Sequence, residues 1–205
     1  MPPSKSPART KLLDAALAII RQRGFAATSV DDLCKAAGVT KGAFFHHFES
    51  KEALGAAAAE HWSAVTGEMF ASAPFHKQED PLSRILEYLD LRKNLINGTP
   101  AEFSCVAGTM VQETFGASET IRQACKASIF GHARTLERDI EAAIETYGLT
   151  PDWNARSLAL HTQAVLQGAF ILAKASDDPE DARAMVDHLI RYVRSLFPAT
   201  PARET

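Results

Sequence analysis

The sequence predicts an all-α protein: a small N-terminal head of three helices, residues 1–50, and a larger helical body, residues 51–205. Three observations predict it. Apolar residues recur at helical spacing, as at Leu13, Ala16, Leu17 and Ile20 near one end and Ala182, Met185, Val186, Leu189, Ile190 and Val193 near the other. No stretch alternates apolar and polar residues as a half-buried strand does. Capping residues and Gly or Pro stops punctuate the apolar runs at helical lengths.

About nine helices follow in order. The first is expected over about 9–23, with Gly24 just past its end. Thr28 or Ser29 can cap the second, whose first turn holds Asp31 and Asp32 where the helix dipole favours anions. Gly38 permits a tight turn, and Thr40 can cap a third helix over about 40–46. Ser50 caps a fourth that runs to about Ala71. Residues 73–81, with Pro74 and Pro81, read as a loop. A fifth helix reaches about Ile96 and stops at Asn97-Gly98-Thr99-Pro100. A sixth is expected over about 102–115, a long seventh from the Ser118 cap to Tyr147, an eighth over about 152–175 and a ninth over about 180–197. The eighth is apolar in nearly every direction, with Gly168 and Ala169 small enough for a second helix to approach closely. In a chain of 205 residues that predicts a core face and a second face that meets another subunit, so the eighth and ninth helices are expected to form a homodimer.

With 46% hydrophobic and 23% charged residues, the composition fits a globular protein with a real core. The net charge of −3 is unevenly spread. Residues 1–54 hold eight Lys/Arg against five Asp/Glu, a balance of +3, so the remainder carries −6. A basic head on an acidic body suits a protein that meets phosphate at one end. Cys34, Cys105 and Cys125 stand far apart with no CxxC pair, which argues against a disulfide framework or a structural zinc site and fits a reducing cytoplasm. No apolar run approaches the ~18–20 residues of a membrane helix. The first ten residues lack a signal-peptide apolar core.

Residues 28–54, TSVDDLCKAAGVTKGAFFHHFESKEAL, carry the densest signal. Two short helices joined at Ala37-Gly38-Val39 form a helix-turn-helix, and the second offers an apolar edge inward and a polar edge outward. Together with RTKLLDAALAIIRQRGF over residues 9–25, this stretch resembles the DNA-binding head of the TetR family of bacterial transcriptional regulators. The all-helical remainder is similar to that family in architecture only. Ser104-Cys105-Val106-Ala107-Gly108 with Gln112-Glu113 resembles a GCxxG…E pattern of some members, with Ser where Gly is usual.

The resemblance implies roles residue by residue. Thr28 and Ser29 would meet phosphate. Thr40 and Lys41 would enter the major groove of operator DNA, with Lys41 reading a base and Gly42 permitting close approach. Phe45 stands where the family usually has Tyr, which leaves apolar contact, as to a thymine methyl, in place of a phosphate hydrogen bond. His46 and His47 would lie against the backbone, and Lys51 would grip a phosphate. Phe25, Val30, Leu33, Val39, Phe44 and Phe48 would form the small core of the head. The physics is general: helix N-termini attract phosphate, and each phosphate contact makes affinity salt-dependent.

The resemblance also implies a small-molecule effector held in the body and a repressor that the effector releases. Trp62, Phe103, Cys105, Met110 and Phe130 are the apolar and sulfur candidates to line such a site, although the same spacing suits plain core. His132, Gln163 and Gln167, with Gln112 and His161 behind them, are polar groups on apolar helices, and a buried polar group needs a partner. Cys105 reads first as a small packed side chain, since Glu102 is near it and no Lys or Arg lies within five residues. His46 and His47 project about 100° apart on a helix, so no metal site is expected, and no other cofactor. No nucleophile and base share supporting spacing, so no enzyme activity is expected. Two alternatives stay open: an activator of the same fold, and a helical ligand- or partner-binding protein whose head no longer reads DNA.

Overall fold

A computed structural model of the chain describes residues 6–197. Those residues form ten α-helices and one short 3₁₀ turn. The helices are α1 (Pro7–Arg23), α2 (Val30–Ala37), α3 (Lys41–His47), α4 (Lys51–Ala71), α5 (Pro81–Asn94), α6 (Pro100–Phe103), α7 (Val106–Thr114), α8 (Glu119–Thr146), α9 (Ala155–Ser176) and α10 (Pro179–Leu196). The 3₁₀ turn, Pro74–Lys77, lies inside the stretch expected as loop.

The chain divides into two compact units, one of residues up to Gly67 with Ser104–Ile129, the other of Glu68–Phe103 with Phe130 onward. In the first, α1 packs on α2, α3 and α7. Leu12, Leu13, Ile20, Leu33, Phe44, Leu54, Met110 and Ile121 are sealed in its core. Of the expected head core, Phe25, Leu33, Phe44 and Phe48 are buried, while Val30 and Val39 pack half-buried against them. In the second unit α9 packs on α10, α10 on α5, and α6 on α9. Arg84–Asp139 and Lys93–Asp187, each at 2.7 Å and partly buried, cross between its helices. No helix among the described residues is long and apolar enough to cross a membrane.

The expected caps are in place at Ser29, Thr40, Ser50 and Ser118, each accepting a backbone N–H from the first turn that follows. Three differences from expectation have local causes. The sixth predicted helix is two, because the chain leaves helical geometry at Ser104-Cys105 and restarts with the Cys105 sulfur accepting the Gly108 N–H at 3.3 Å. The helix expected from about 152 starts at Ala155, where Asn154 and Ser157 make a reciprocal capping box. The first helix starts at Pro7, whose missing N–H costs nothing in a first turn.

Candidate nucleic-acid interface and effector site

The helix-turn-helix is built from backbone needs outward. Ser29 caps α2 while the Asp32 carboxylate reaches back to the Ser29 N–H at 2.9 Å and to its hydroxyl at 2.6 Å. Those two bonds and the Arg23 guanidinium at 2.7 Å hold the Asp32 carboxyl well below the usual carboxylate range. Gly38 ends α2 at φ 63°, a left-handed turn that glycine adopts without strain. Thr40 then caps α3 by accepting the Ala43 N–H at 3.1 Å.

α3 has seven residues, too few to persist alone, so its inner face decides its existence. Phe44 is fully buried and Phe48 nearly so. The outer face presents Thr40, Lys41, Gly42, Phe45 and His46 to solvent. Phe45 is 52% exposed although its edge packs on Phe44 with ring centroids 5.1 Å apart. The Lys41 ammonium pairs with Asp31 at 2.9 Å, but both side chains are exposed, and such a pair is worth little enough for a DNA phosphate or base to displace it. A Cβ at Gly42 would meet only the Thr40 hydroxyl, at 3.8 Å, so the protein's own packing does not require glycine there. His47 is half-buried, its Nε2 3.3 Å from the Ser6 hydroxyl.

Two expected phosphate contacts are altered. Thr28 is buried, and its hydroxyl donates to the Gly24 carbonyl at 2.6 Å. It cannot offer that group to DNA, because closing the turn after α1 uses it. Lys51 is half-buried over the Phe25 ring at 4.5 Å and donates to the Ala26 carbonyl at 3.3 Å. Burial pushes its ammonium below the ordinary lysine value. It therefore holds the turn between α1 and α2, a role that spacing alone did not signal.

The same unit ties that turn to the body sequence. The Glu113 carboxylate on α7 accepts the Ala26 N–H at 2.7 Å. Gly24, at φ 89°, lies so close that a Cβ there would strike this carboxylate. Ser118, at the start of α8, donates to Glu52 at the start of α4.

The expected effector residues separate. Met110 is fully buried among the apolar side chains of the first unit's core, where it packs; helical spacing does not tell core from cavity lining. Trp62 lies half-buried in the same unit, beneath the Arg21 guanidinium at 5.4 Å, and Cys105 is the α7 cap. Cys125 is buried there, its thiol pushed up to about 12 by burial and then by Cys105.

In the second unit, His132 and Gln163 converge on a residue not expected at the site, Tyr88. The Tyr88 hydroxyl lies 2.8 Å from His132 Nε2 and accepts the Gln163 amide at 3.5 Å and Arg92 Nη1 at 3.1 Å. Phe70 covers the group, 4.7 Å from the His132 ring and 5.7 Å from Tyr88 by centroid. The missed signal was the α5 sequence itself: Tyr88 and Arg92 are four apart, on the side that carries Ile85 and Leu89. Phe103 stacks at 5.9 Å on Phe170, and Phe130 and Gln167 are half-buried. Gln112 instead turns back to the Gly108 carbonyl, and His161 is exposed beside Tyr192. A separate open groove of about 800 Å³, with Glu137, Glu141, Trp153 and Arg156 in its walls, contains none of the expected residues.

His132 gives a pH prediction. Burial, then the adjacent Arg92 charge, lowers its pKa to about 3. The unfolded chain protonates it near 6.5, so between those values the unfolded state takes up the extra proton. Stability is therefore whole above about pH 6.5 and falls below it, by up to about 1.4 kcal/mol per pH unit. Denaturant unfolding from pH 7 to 5 is expected to show that loss in the wild type and a smaller one in His132→Gln; equal slopes would contradict the assignment.

Comparison with known proteins adds a family frame. A family model described as bacterial regulatory proteins, tetR family, matches residues 12–58. A second, tetracyclin repressor-like, C-terminal domain, matches residues 81–189. The chain is 28% identical over 194 residues, 95% of each chain, to the HTH-type transcriptional repressor NemR of Escherichia coli (strain K12). It is 25% identical over 198 residues, 96% of each, to the HTH-type transcriptional repressor DhaR of Mycobacterium sp. (strain GP1). Its fold is similar to the crystal structure of E. coli NemR, with a TM-score of 0.76 over 95% of this chain and 99% of that one. It also matches the fold of a cysteine mutant of the regulator CifR complexed with 26-bp operator DNA, with a TM-score of 0.74 and 21% identity over 89% and 94% of the two chains.

Proposed function

We propose, from the premise that this chain belongs to the TetR family of bacterial transcriptional regulators, that it is a homodimeric repressor released from its operator by a small molecule. The observation that carries the DNA-binding half is the division of α3: Phe44 in the core, Lys41, Gly42 and Phe45 outward. Each subunit would lay α3 in a major groove, at half-sites related by the dimer's two-fold axis. Thr40, His46 and His47 would fix register on the phosphates, Ser29 having both its hydroxyl and its N–H on Asp32, and Lys41 would leave Asp31 for a base edge. Its relatives NemR and DhaR carry the name repressor, and CifR has been captured on operator DNA, which supports the reading. Such a regulator works in the cytoplasm.

The dimer would form through α9 and α10. Ile171, Leu172 and Tyr192 stand 45–49% exposed, and a Cβ at Gly168 would meet nothing of this chain within 4 Å. Release would be a population shift, in which the effector binds the DNA-incompetent arrangement more tightly. α7 and α8 are suited to carry it, since Glu113 and Ser118 hold the turn before α2 and the start of α4.

The test is a gel shift on the DNA flanking the protein's own gene. Lys41→Ala is expected to weaken specific binding by about tenfold or more per half-site and to relax specificity at the base pair it reads. Equal affinity of wild type and variant would count against α3 as the reader.

A further inference from the structure

The cluster around Tyr88 has more donors than acceptors. Arg92 carries five N–H groups and Gln163 two, while a neutral imidazole offers one lone pair. His132 is kept neutral by burial and by Arg92. Its Nε2 is approached by the Tyr88 hydroxyl at 2.8 Å and by Arg92 Nη1 at 3.2 Å. If Nε2 accepts, two donors compete for one lone pair; if Nε2 bears the proton, Arg92 faces another donor. Arg92 Nη1 is left with the Tyr88 hydroxyl as its acceptor at 3.1 Å, and among the described residues no side chain or carbonyl takes the N–H groups of Nε or Nη2. Among the described residues no ion pair involves Arg92, whereas its neighbour Lys93 takes Asp187 at 2.7 Å. A half-buried cation with no counterion is partly desolvated, and an incoming anion would relieve that cost. Around the guanidinium the surfaces are aromatic: it lies 5.3 Å from the Phe70 ring centroid and 5.8 Å from that of Tyr88. Arg92 is half-buried, so its guanidinium is reachable from solvent, while Tyr88 and Gln163 lie buried behind it.

We propose that Arg92, with Tyr88 and Gln163, takes the carboxylate of an aromatic monocarboxylic acid, which is the effector. The inference rests on the effector-released reading above. One planar carboxylate matches one guanidinium fork and supplies the missing lone pairs. One negative charge matches one cation; a phosphate dianion would bring a second charge into a site with none to meet it. The ring of the acid would lie against Phe70 and Tyr88, where stacking favours a flat body.

Calorimetric titration of the full-length protein with benzoate, benzamide and inorganic phosphate tests this. Benzoate is expected to bind, with benzamide and phosphate weaker by about tenfold or more. Arg92→Gln is expected to lose about tenfold or more in benzoate affinity while melting as cooperatively as the wild type. If Arg92→Gln does not fold, Tyr88→Phe keeps the ring and is expected to lose about three- to tenfold. No benzoate binding, equal binding of benzoate and benzamide, tighter binding of phosphate, or undiminished benzoate affinity in the variants would each overturn the assignment. Adding benzoate to the operator complex separates the two readings. Benzoate bound through Arg92 without operator release would leave the acid site standing and sink the effector reading. Operator binding without any benzoate binding would do the reverse.

Discussion

Phe44→Ala is expected to remove about 3–5 kcal/mol from the first unit, the largest stability loss expected of a single change in the head. Phe44 is sealed from solvent, and it contacts Phe45 and Phe48 at 5.1 and 5.7 Å by ring centroid. Its loss leaves a void that seven residues of α3 cannot close, because a helix of that length has no stability of its own. The same side chain sets which way Lys41 and Phe45 point, so DNA binding is expected to vanish with it even where the chain stays helical overall. Denaturant unfolding followed by far-UV circular dichroism reads the first effect and a gel shift the second. A loss below about 1 kcal/mol would mean that α3 is held by something other than this ring.

Ile171→Asp is expected to turn the dimer into monomers. Ile171 is 49% exposed on α9, so a carboxylate there is solvated in the single chain and the fold should change little. In the proposed dimer the same carboxylate is buried without a partner, once in each subunit. An uncompensated buried charge costs about 3–5 kcal/mol, which raises the dissociation constant by about a hundredfold or more. Sedimentation velocity at micromolar protein reads the outcome, and operator affinity should fall with it because one head alone grips one half-site. A variant that sediments as the wild-type dimer would place the interface elsewhere.

The parts of this molecule written in local chemistry are legible in the amino-acid sequence alone. Ser29, Thr40, Ser50 and Ser118 cap because a short side-chain oxygen ahead of an apolar run has one good use. Gly38 is legible for the same kind of reason: a left-handed turn favours glycine. What escapes depends on choices between similar groups or on distant partners. Thr28 and Ser29 look alike as caps, yet once Ser29 takes α2 the Thr28 hydroxyl falls back on Gly24. Cysteine is an unusual cap, so the sequence reads as one helix across the break between α6 and α7. Met110 stands at a spacing that suits core and cavity lining alike, and only its neighbours in the folded chain place it in the first unit's core. Lys51 reads as a phosphate ligand until Phe25 and Ala26 are placed beside it. His132 and Gln163 are marked by polarity on apolar helices, but the hydroxyl joining them lies 44 and 75 residues away in sequence. No period within one helix encodes such a meeting.

The central claim is that two copies of α3 read one two-fold DNA site. DNase footprinting of the purified full-length protein on the DNA flanking its own gene tests it most directly. The expected result is one protected stretch containing two inverted half-sites about one helical turn or a multiple apart, protected together and lost together in Ile171→Asp. Absence of any sequence-specific protection at low salt, or protection of a single half-site that Ile171→Asp retains in full, would contradict it.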